Sequence, residues 1–428
     1  MFGERRGASA AGDDRGRRAN TRRFAALLLI QACLLLGSSV LCFAYPLYVL
    51  DETGSATAYG LVGAVSFVPY LAATPLGGVL ADRADCGRIF TVLGIVLAAV
   101  TACMPLCRNV FGCVASSIVL LCADYAAQAI CKPAVQAAIP ELLGEELVER
   151  GCAWASQITM GANILGPFAG AALYGWVGID GAGAMASLGF AVSAAVGWLI
   201  ARTHPCDKEG AAKEGWDLDL GLRAAIAFFE AKRTLLFTVL LAALFNLALA
   251  GASLGAPVVV SAYLGAPVQW VGFIEGAAGA GGLVGGLMVG VSPHRFNAGH
   301  MGRYILFSTL GIVPVWISLA AGAPVWAVCT AYSLGMFWVM LWANVASIEL
   351  IGCVQRAAAK GLRGKVLSVV YLLLSCATPL GQMVYGRAYD IAAPPVVMAA
   401  MVAAGALISL LLSLFERRGD SDHAPAAV

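Results

Sequence analysis

The run FAALLLIQACLLLGSSVLCFAYPLYVL, residues 24–50, contains no charge and is bounded by Arg22-Arg23 on one side and Asp51-Glu52 on the other. It is longer than the ~20 apolar residues a helix needs to cross a ~30 Å hydrocarbon core, so it reads as a membrane span. Uncharged runs at 53–81, 151–179, 366–386 and 391–415 read the same way. Two longer ones, 234–274 and 304–348, hold two spans each, because Gly265-Ala266-Pro267 and Gly322-Ala323-Pro324 supply a turn inside them. Twelve spans are predicted, at 24–48, 57–81, 88–107, 110–132, 151–177, 182–202, 234–262, 268–291, 302–321, 324–350, 364–389 and 394–415.

The composition agrees. At 60% hydrophobic and 12% charged residues, with 50 glycines, the chain departs from the roughly 25% charge of soluble domains and is expected to be an all-α, multi-pass membrane protein. A net charge of +2 points to no nucleic-acid partner. The placement of the charges says more. With the N-terminus taken as cytoplasmic, 25 of the 27 Lys and Arg residues fall on the inner side, the exceptions being Arg108 and Arg387. The positive-inside rule then puts both termini in the cytoplasm. The one long polar interior segment, 203–233, carries five Lys or Arg residues. It divides the chain into a basic cytoplasmic arm 1–23, a six-helix half 24–202, the linker 203–233, a second six-helix half 234–415 and a tail 416–428. The seven arginines of the arm, set among small polar residues, suggest a disordered segment drawn to anionic headgroups at about 1 kcal/mol per residue. Within the linker, 218–232 has apolar residues at helical spacing, which fits either an amphipathic surface helix or a solvated one.

Several function classes lose support here. Arg22-Arg23-Phe24 and Ile30-Gln31-Ala32-Cys33 faintly resemble export and lipoprotein signals, but a first span followed by eleven others reads as an uncleaved anchor. The 13 cysteines are scattered, without a Cys-x-x-Cys pair; Cys103, Cys107 and Cys113, grouped on the outer side, leave a disulfide open. His204, His294, His300 and His423 fall in loops or the tail and form no ligand pair. No metal, cofactor or catalytic constellation is expected, and hence no enzyme. The glycine-rich stretch 272–286 is followed by no Lys-Ser or Lys-Thr, so it reads as tight packing and argues against ATP as the energy source.

An internal repeat links the two halves. Gly77-Gly78-Val79-Leu80 at the end of the second span matches Gly285-Gly286-Leu287-Met288 at the end of the eighth. Arg150-Gly151, Pro167 and Tyr174-Gly175 around the fifth span match Arg363-Gly364, Pro379 and Tyr385-Gly386 around the eleventh. Both matches keep the same orientation, which predicts parallel six-span repeats of the kind that rock about a midplane site.

The segment Gly77-Gly78-Val79-Leu80-Ala81-Asp82-Arg83-Ala84-Asp85-Cys86-Gly87-Arg88 resembles the loop between the second and third spans of the major facilitator superfamily. Ala138-Ile139-Pro140-Glu141-Leu142-Leu143, the run Gly161, Gly166, Pro167 and Gly170, and Arg363-Gly364-Lys365-Val366 are similar to its drug-efflux branch, which includes macrolide and enterobactin exporters. The resemblance covers about residues 24–415 and implies a gate. Gly78 lets helix ends approach, while Asp82 opposes a helix dipole and needs a cationic partner, with Arg363 and Lys132 as candidates and Arg83 and Arg88 adding to the cluster. The alternative is a short loop whose charges only set topology. The chain departs from the branch in having Cys86 and Gly87 where adjacent basic residues are usual, and Gly290 in place of the second aspartate. In the family, the Gly161, Gly166, Pro167 and Gly170 run goes with antiport; read on its own, it permits close packing and a bend.

Charges inside spans are costly and point to function. Asp124 in the fourth span and Glu275 in the eighth are the candidate proton or substrate carboxylates. Asn163 and Asn246 are candidate substrate contacts, with an interhelical hydrogen bond as the alternative, and Glu349 reads as interfacial. Tyr332, Phe337, Trp338 and Trp342 either line an apolar cavity or face lipid. The resemblance implies a monomeric secondary carrier of the cell membrane that exports a small amphipathic or hydrophobic compound in exchange for protons. The alternatives are an uptake carrier or lysolipid flippase of the same fold and, less well supported, a membrane sensor or enzyme.

Overall fold

A computed structural model describes residues 3–83, 85–143, 147–203, 227–292, 295–296, 298–359 and 362–421. Within these, side chains are described except at 3–19, 75, 78–79, 81–83, 141, 149, 203, 298, 364–365 and 417–421. The described chain is helical: α1 Gly3–Thr53, α2 Ala56–Arg83, α3 Cys86–Ala102, α4 Met104–Leu143, α5 Val148–Thr203, α6 Arg233–Pro257, α7 Gln269–Val291, α8 Met301–Leu310, α9 Val313–Ala320, α10 Val325–Ala357, α11 Arg363–Ile391 and α12 Pro394–Ser421. Among the described residues, ten helical stretches are long and apolar enough to cross a membrane on their own. One of them, Arg150–Arg202, is 53 residues long and turns back at Gly178, so it crosses twice. A further crossing is α3 followed by the first arm of α4, up to the turn at Gly112. The chain thus makes the twelve passes that the sequence predicts.

The turns explain how such short connections work. Gly54, Gly112, Gly178, Gly265 and Gly322 are the positive-φ residues among those described, with φ between +61° and +79°. They fall after alternate passes: the first, third, fifth, seventh and ninth. A Cβ at any of the five would meet nothing within 4 Å, so the left-handed backbone and not crowding calls for glycine.

Elsewhere glycine permits contact. In the first half Gln31 of α1 bonds to Ala155 of α5, Gly77 of α2 abuts Ala129 of α4, and Gly94 of α3 abuts Phe190 and Ala194 of α5. In the second half Gly381 of α11 abuts Leu247 and Ala250 of α6, Gly285 of α7 abuts Leu341 of α10, and Gly405 of α12 abuts Thr309 of α8. The pairing of passes one with five, two with four and three with six therefore recurs as seven with eleven, eight with ten and nine with twelve. The Gly77 and Gly285 repeat seen in the sequence sits at equivalent contacts.

Two compact units are formed. The first comprises Met1–Ala44, Ser66–Gly166 and Trp176–Lys213. Its core holds Leu27, Ile30, Phe90, Leu97, Leu120 and Phe190, each at most 1% exposed. The second comprises Tyr45–Val65, Pro167–Gly175 and Glu214–Val428, with a core around Val239, Tyr304, Val345, Val354 and Val366. Large apolar side chains cover the outside as well; Trp176 is 78% and Phe111 68% exposed, as suits a surface solvated by lipid tails.

Some local expectations change. The backbone of the basic arm is helical from Gly3, continuous with the first span, where the sequence suggested disorder; Ala and Arg are strong helix formers. The third pass bends at Cys103 and ends at Gly112, some residues later than expected. The ninth is broken between α8 and α9 at Gly311, whose backbone leaves no room for a Cβ beside Gly335. The linker end is packed: Phe229 is 5% exposed within the second unit's core, and Lys232 donates to the Ala357 carbonyl at 3.1 Å. The rest of 218–232 up to residue 226 lies outside the described residues.

Candidate functional site

In the first unit, α1, α3, α4 and α5 leave between them a cavity of about 500 Å³. Its wall is mixed. Leu34, Phe90, Leu97, Val135 and Ile139 supply apolar surface, and Gln31, Ser38, Gln128, Gln136, Ser156, Thr159 and Asn163 supply amides and hydroxyls. Tyr70 adds a ring stacked on Phe67, which meets Tyr125 edge-on at 5.6 Å. Lys132 is the cation on the wall.

Asp124 lies one layer behind this wall on α4, fully buried. Three donors converge on it. Ser38 Oγ reaches Oδ1 at 2.5 Å, Gln128 Nε2 reaches Oδ2 at 2.7 Å, and the Cys42 thiol reaches Oδ2 at 3.6 Å. Gln128 stands four residues along the same helix, the spacing that stacks side chains on one face. Ser38 and Gln128 line the cavity as well, so both join the carboxyl to the open space. Sequence reading names Asp124 as a candidate but not this shell; the Asp124 and Gln128 spacing was the available signal, whereas Ser38 and Cys42 come from a helix 82 or more residues away.

The other sequence candidates are spread out. Asn163 lines the same cavity, and Asn246 is half-buried on α6 and does not line it. Glu275 on α7 is half-buried in the second unit and accepts from Ser253 Oγ at 3.1 Å. Glu349 is buried on α10, 8% exposed. Gly166 packs against Ser39 of α1 in the first unit, Gly161 has open space around it, and Gly170 is buried. Pro167 offers its carbonyl to the face of Gly272, and Phe168 fills the surface of Gly276, so the glycines of α7 serve helix packing in the second unit.

Of the gate residues, Arg88 is exposed beside the N-cap of α3, where Asp85 accepts from its backbone N–H at 3.2 Å. Arg363 is exposed at the start of α11 and donates through Nε to Ala358 at 3.1 Å. The side chains of Asp82 and Arg83, and the surroundings of Gly78, lie outside the described residues, as do His204, His294 and His423. Cys103, Cys107 and Cys113 are free thiols. None of the four aromatic candidates lines the cavity. Tyr332 is buried with its hydroxyl on the Ala252 carbonyl at 2.8 Å, Phe337 backs onto Gly281, and Trp338 bonds to the Phe307 carbonyl at 2.7 Å. Trp342 stacks on Tyr304.

A second feature that sequence reading missed lies at the glycine-turn end of the second unit. Asp390, near the end of α11, accepts from the backbone N–H groups of Ala56 and Thr57 at 2.7 and 3.0 Å and from Ser55 Oγ at 2.9 Å. It thereby caps α2 from another helix. In the first unit Arg108 pairs with Asp180, which accounts for one of the two cations outside the basic end.

The sequence profile of the Major Facilitator Superfamily matches residues 27–382. Macrolide efflux protein A of Streptococcus pyogenes is 25% identical over 362 residues, spanning 82% of this chain and 85% of that protein. Among solved structures, a bacterial homologue of the iron transporter ferroportin aligns with a TM-score of 0.68 at 15% identity, over 94% of this chain and 99% of the other. A POT family transporter in complex with 5-aminolevulinic acid gives 0.69 at 12%, over 93% and 96%. Helices, repeat and profile converge: the chain is a multi-pass membrane protein that belongs to the major facilitator superfamily, whose members are transporters and not enzymes.

Proposed function

We propose that the protein exports a small amphipathic or hydrophobic compound, of drug, macrolide-like or siderophore-like character, in exchange for protons by alternating access. The observation that carries this reading is the fully buried carboxyl of Asp124, joined through Ser38 and Gln128 to a cavity of drug-sized volume. A hydroxyl that touches both the carboxyl and the open space is a proton relay: Ser38 gives its proton to Asp124 and takes another from cavity water. Once protonated, Asp124 is itself a donor, and Ser38 turns to accept. Proton and cargo then occupy one chamber in turn, and each occupant shifts the balance between the two access states by its differential affinity. Glu275 is the second candidate carboxylate, and Asn163 and Asn246 are candidate cargo contacts. The 25% identity to a macrolide efflux protein supports the export direction.

The run Gly161, Gly166, Pro167 and Gly170, closely packed at Gly166, belongs to this cycle, and Gly78, Asp82, Arg83, Arg88, Lys132 and Arg363 form the gate at the basic end. The distribution of 25 against 2 cations supports a cell-membrane protein with both termini in the cytoplasm, and the carrier is taken to work as a monomer. The test is drug-driven dissipation of a pH gradient in vesicles. Asp124→Asn is expected to abolish uphill export and spare downhill exchange, with Glu275→Gln having the smaller effect. An undiminished signal in the double variant removes both residues from the coupling.

A further inference from the structure

Among the described residues, Lys132 is the one charged side chain on the cavity wall. The sequence reads it as the last residue of the fourth span, where a cation is ordinary. α4 instead runs on to Leu143, and the apolar stretch able to cross a membrane extends to Pro140. An ammonium inside such a stretch is costly and marks a pathway or a partner. Among the described side chains no carboxylate pairs with it. Asp124 does not serve: it is fully buried, with its oxygens held by Ser38, Gln128 and Cys42. The charge that an occupant of the cavity meets directly is therefore positive.

The neighbours of Lys132 add donors. Gln136 stands four residues along the same face of α4 and lines the wall too. α5 runs back alongside, with Gly151 against Ile139. At ~1.5 Å per residue from that contact, Lys132 lies about 10 Å up α4 and Ser156 about 7 Å up α5, so the two wall residues stand at nearly one height. Helical side chains lean toward the N-terminus of their helix, which on α4 carries Lys132 toward Gln128 and away from the helix end. We propose that Lys132 anchors an acidic group on the cargo: within the class proposed above, the preferred cargo is a lipophilic anion whose apolar body lies against Leu34, Phe90 and Val135. Its carboxylate, sulfonate or phosphate meets Lys132, with Gln136 and Ser156 as further donors. This rests on the reading of the cavity as the cargo chamber, but not on the direction of transport. It is separable from a part in the gate, because a gate acts on every cargo alike and the anchor acts on acids.

A matched pair of fluorescent probes isolates the effect: anilinonaphthalene sulfonate and phenylnaphthylamine share one ring skeleton and differ by the sulfonate. Both are titrated into the purified full-length protein in an uncharged detergent. Lys132→Gln is expected to weaken the sulfonate about fivefold and leave the neutral amine unchanged, while Lys132→Arg keeps most of the sulfonate's affinity. A Lys132 that served only the gate or the packing would move both affinities together or neither, which overturns the proposal. The unaltered protein gives a second check, because added salt screens an ion pair and is expected to weaken the sulfonate relative to the amine. An equal response of the two probes, or no saturable binding of the sulfonate, overturns the proposal without any variant. Displacement of the bound sulfonate by naphthoate or by lysophosphatidylglycerol tells a free acid from a lipid headgroup as the source of the anion, and displacement by neither overturns the proposal as well. The export reading fails separately, if everted vesicles do not accumulate cargo against its gradient while the difference in binding stands.

Discussion

Ser38, Gln128 and Cys42 do not contribute equally to Asp124, and the difference is testable. The hydroxyl contact at 2.5 Å is the shortest, the amide follows at 2.7 Å, and the thiol at 3.6 Å is a weak donor. Ser38→Ala removes the donor to Oδ1 and leaves a buried acceptor unmade, a loss of about 1–3 kcal/mol. It is expected to lower the thermal unfolding midpoint in detergent and to slow proton-coupled flux, whereas Cys42→Ala is expected to do little of either. Equal losses in the two variants would mean that packing, not hydrogen bonding, sets the environment of Asp124. At this scale the sequence shows which groups are out of place and not what they touch. Asp124 stands out because a carboxyl in an apolar run is expensive. Gln31 does not stand out, since its partners, Ala155 and Thr159, are more than 120 residues away.

α2 begins at a cap supplied by another helix. Ser55 is the local capping residue, yet the N–H groups of Ala56 and Thr57 go to Asp390. Close packing accompanies the cap: Gly60 and Gly63 face Gln382, and Gly386 faces the Ala56 carbonyl. Asp390→Ala is expected to cost about 1 kcal/mol at the start of α2 and to speed hydrogen exchange at the Ala56 and Thr57 amides, while Asp390→Asn keeps part of the cap. Unchanged exchange in Asp390→Ala would leave Ser55 as sufficient. The helices themselves were legible, because an uncharged run of twenty residues has few other fates in a bilayer. Their irregularities were less so. The breaks at Cys103 and Gly311 come just before Pro105 and Pro314, each of which removes a helical hydrogen bond and which hydropathy does not record, whereas the Gly265 and Gly322 turns carry Gly-Ala-Pro in the chain itself.

Across the whole molecule, the recurring pairing of passes one with five, two with four and three with six expresses a duplication that the sequence keeps at only a few positions, such as Gly77 and Gly285. At both of those positions a Cβ would strike a neighbouring backbone. Sidedness is checked with single-cysteine variants and an impermeant thiol reagent. A protein retaining Cys206 alone is expected to react only from the cytoplasm, and one retaining Cys103 alone only from outside. Reaction of Cys206 in sealed cells would invert the arrangement. The left-handed glycines have a bearing on biogenesis as well. With the termini in the cytoplasm, as proposed, a hairpin closed by Gly54, Gly112, Gly178, Gly265 or Gly322 takes only a handful of loop residues through the bilayer. Apart from Arg108 and Arg387, it takes no cation, the kind of residue that holds a segment on the cytoplasmic side. Each pair of helices is thereby suited to leave the insertion machinery together, in the order of synthesis. A branched side chain at one of these turns would do its damage there, lowering the yield of inserted protein before any cycle of transport begins.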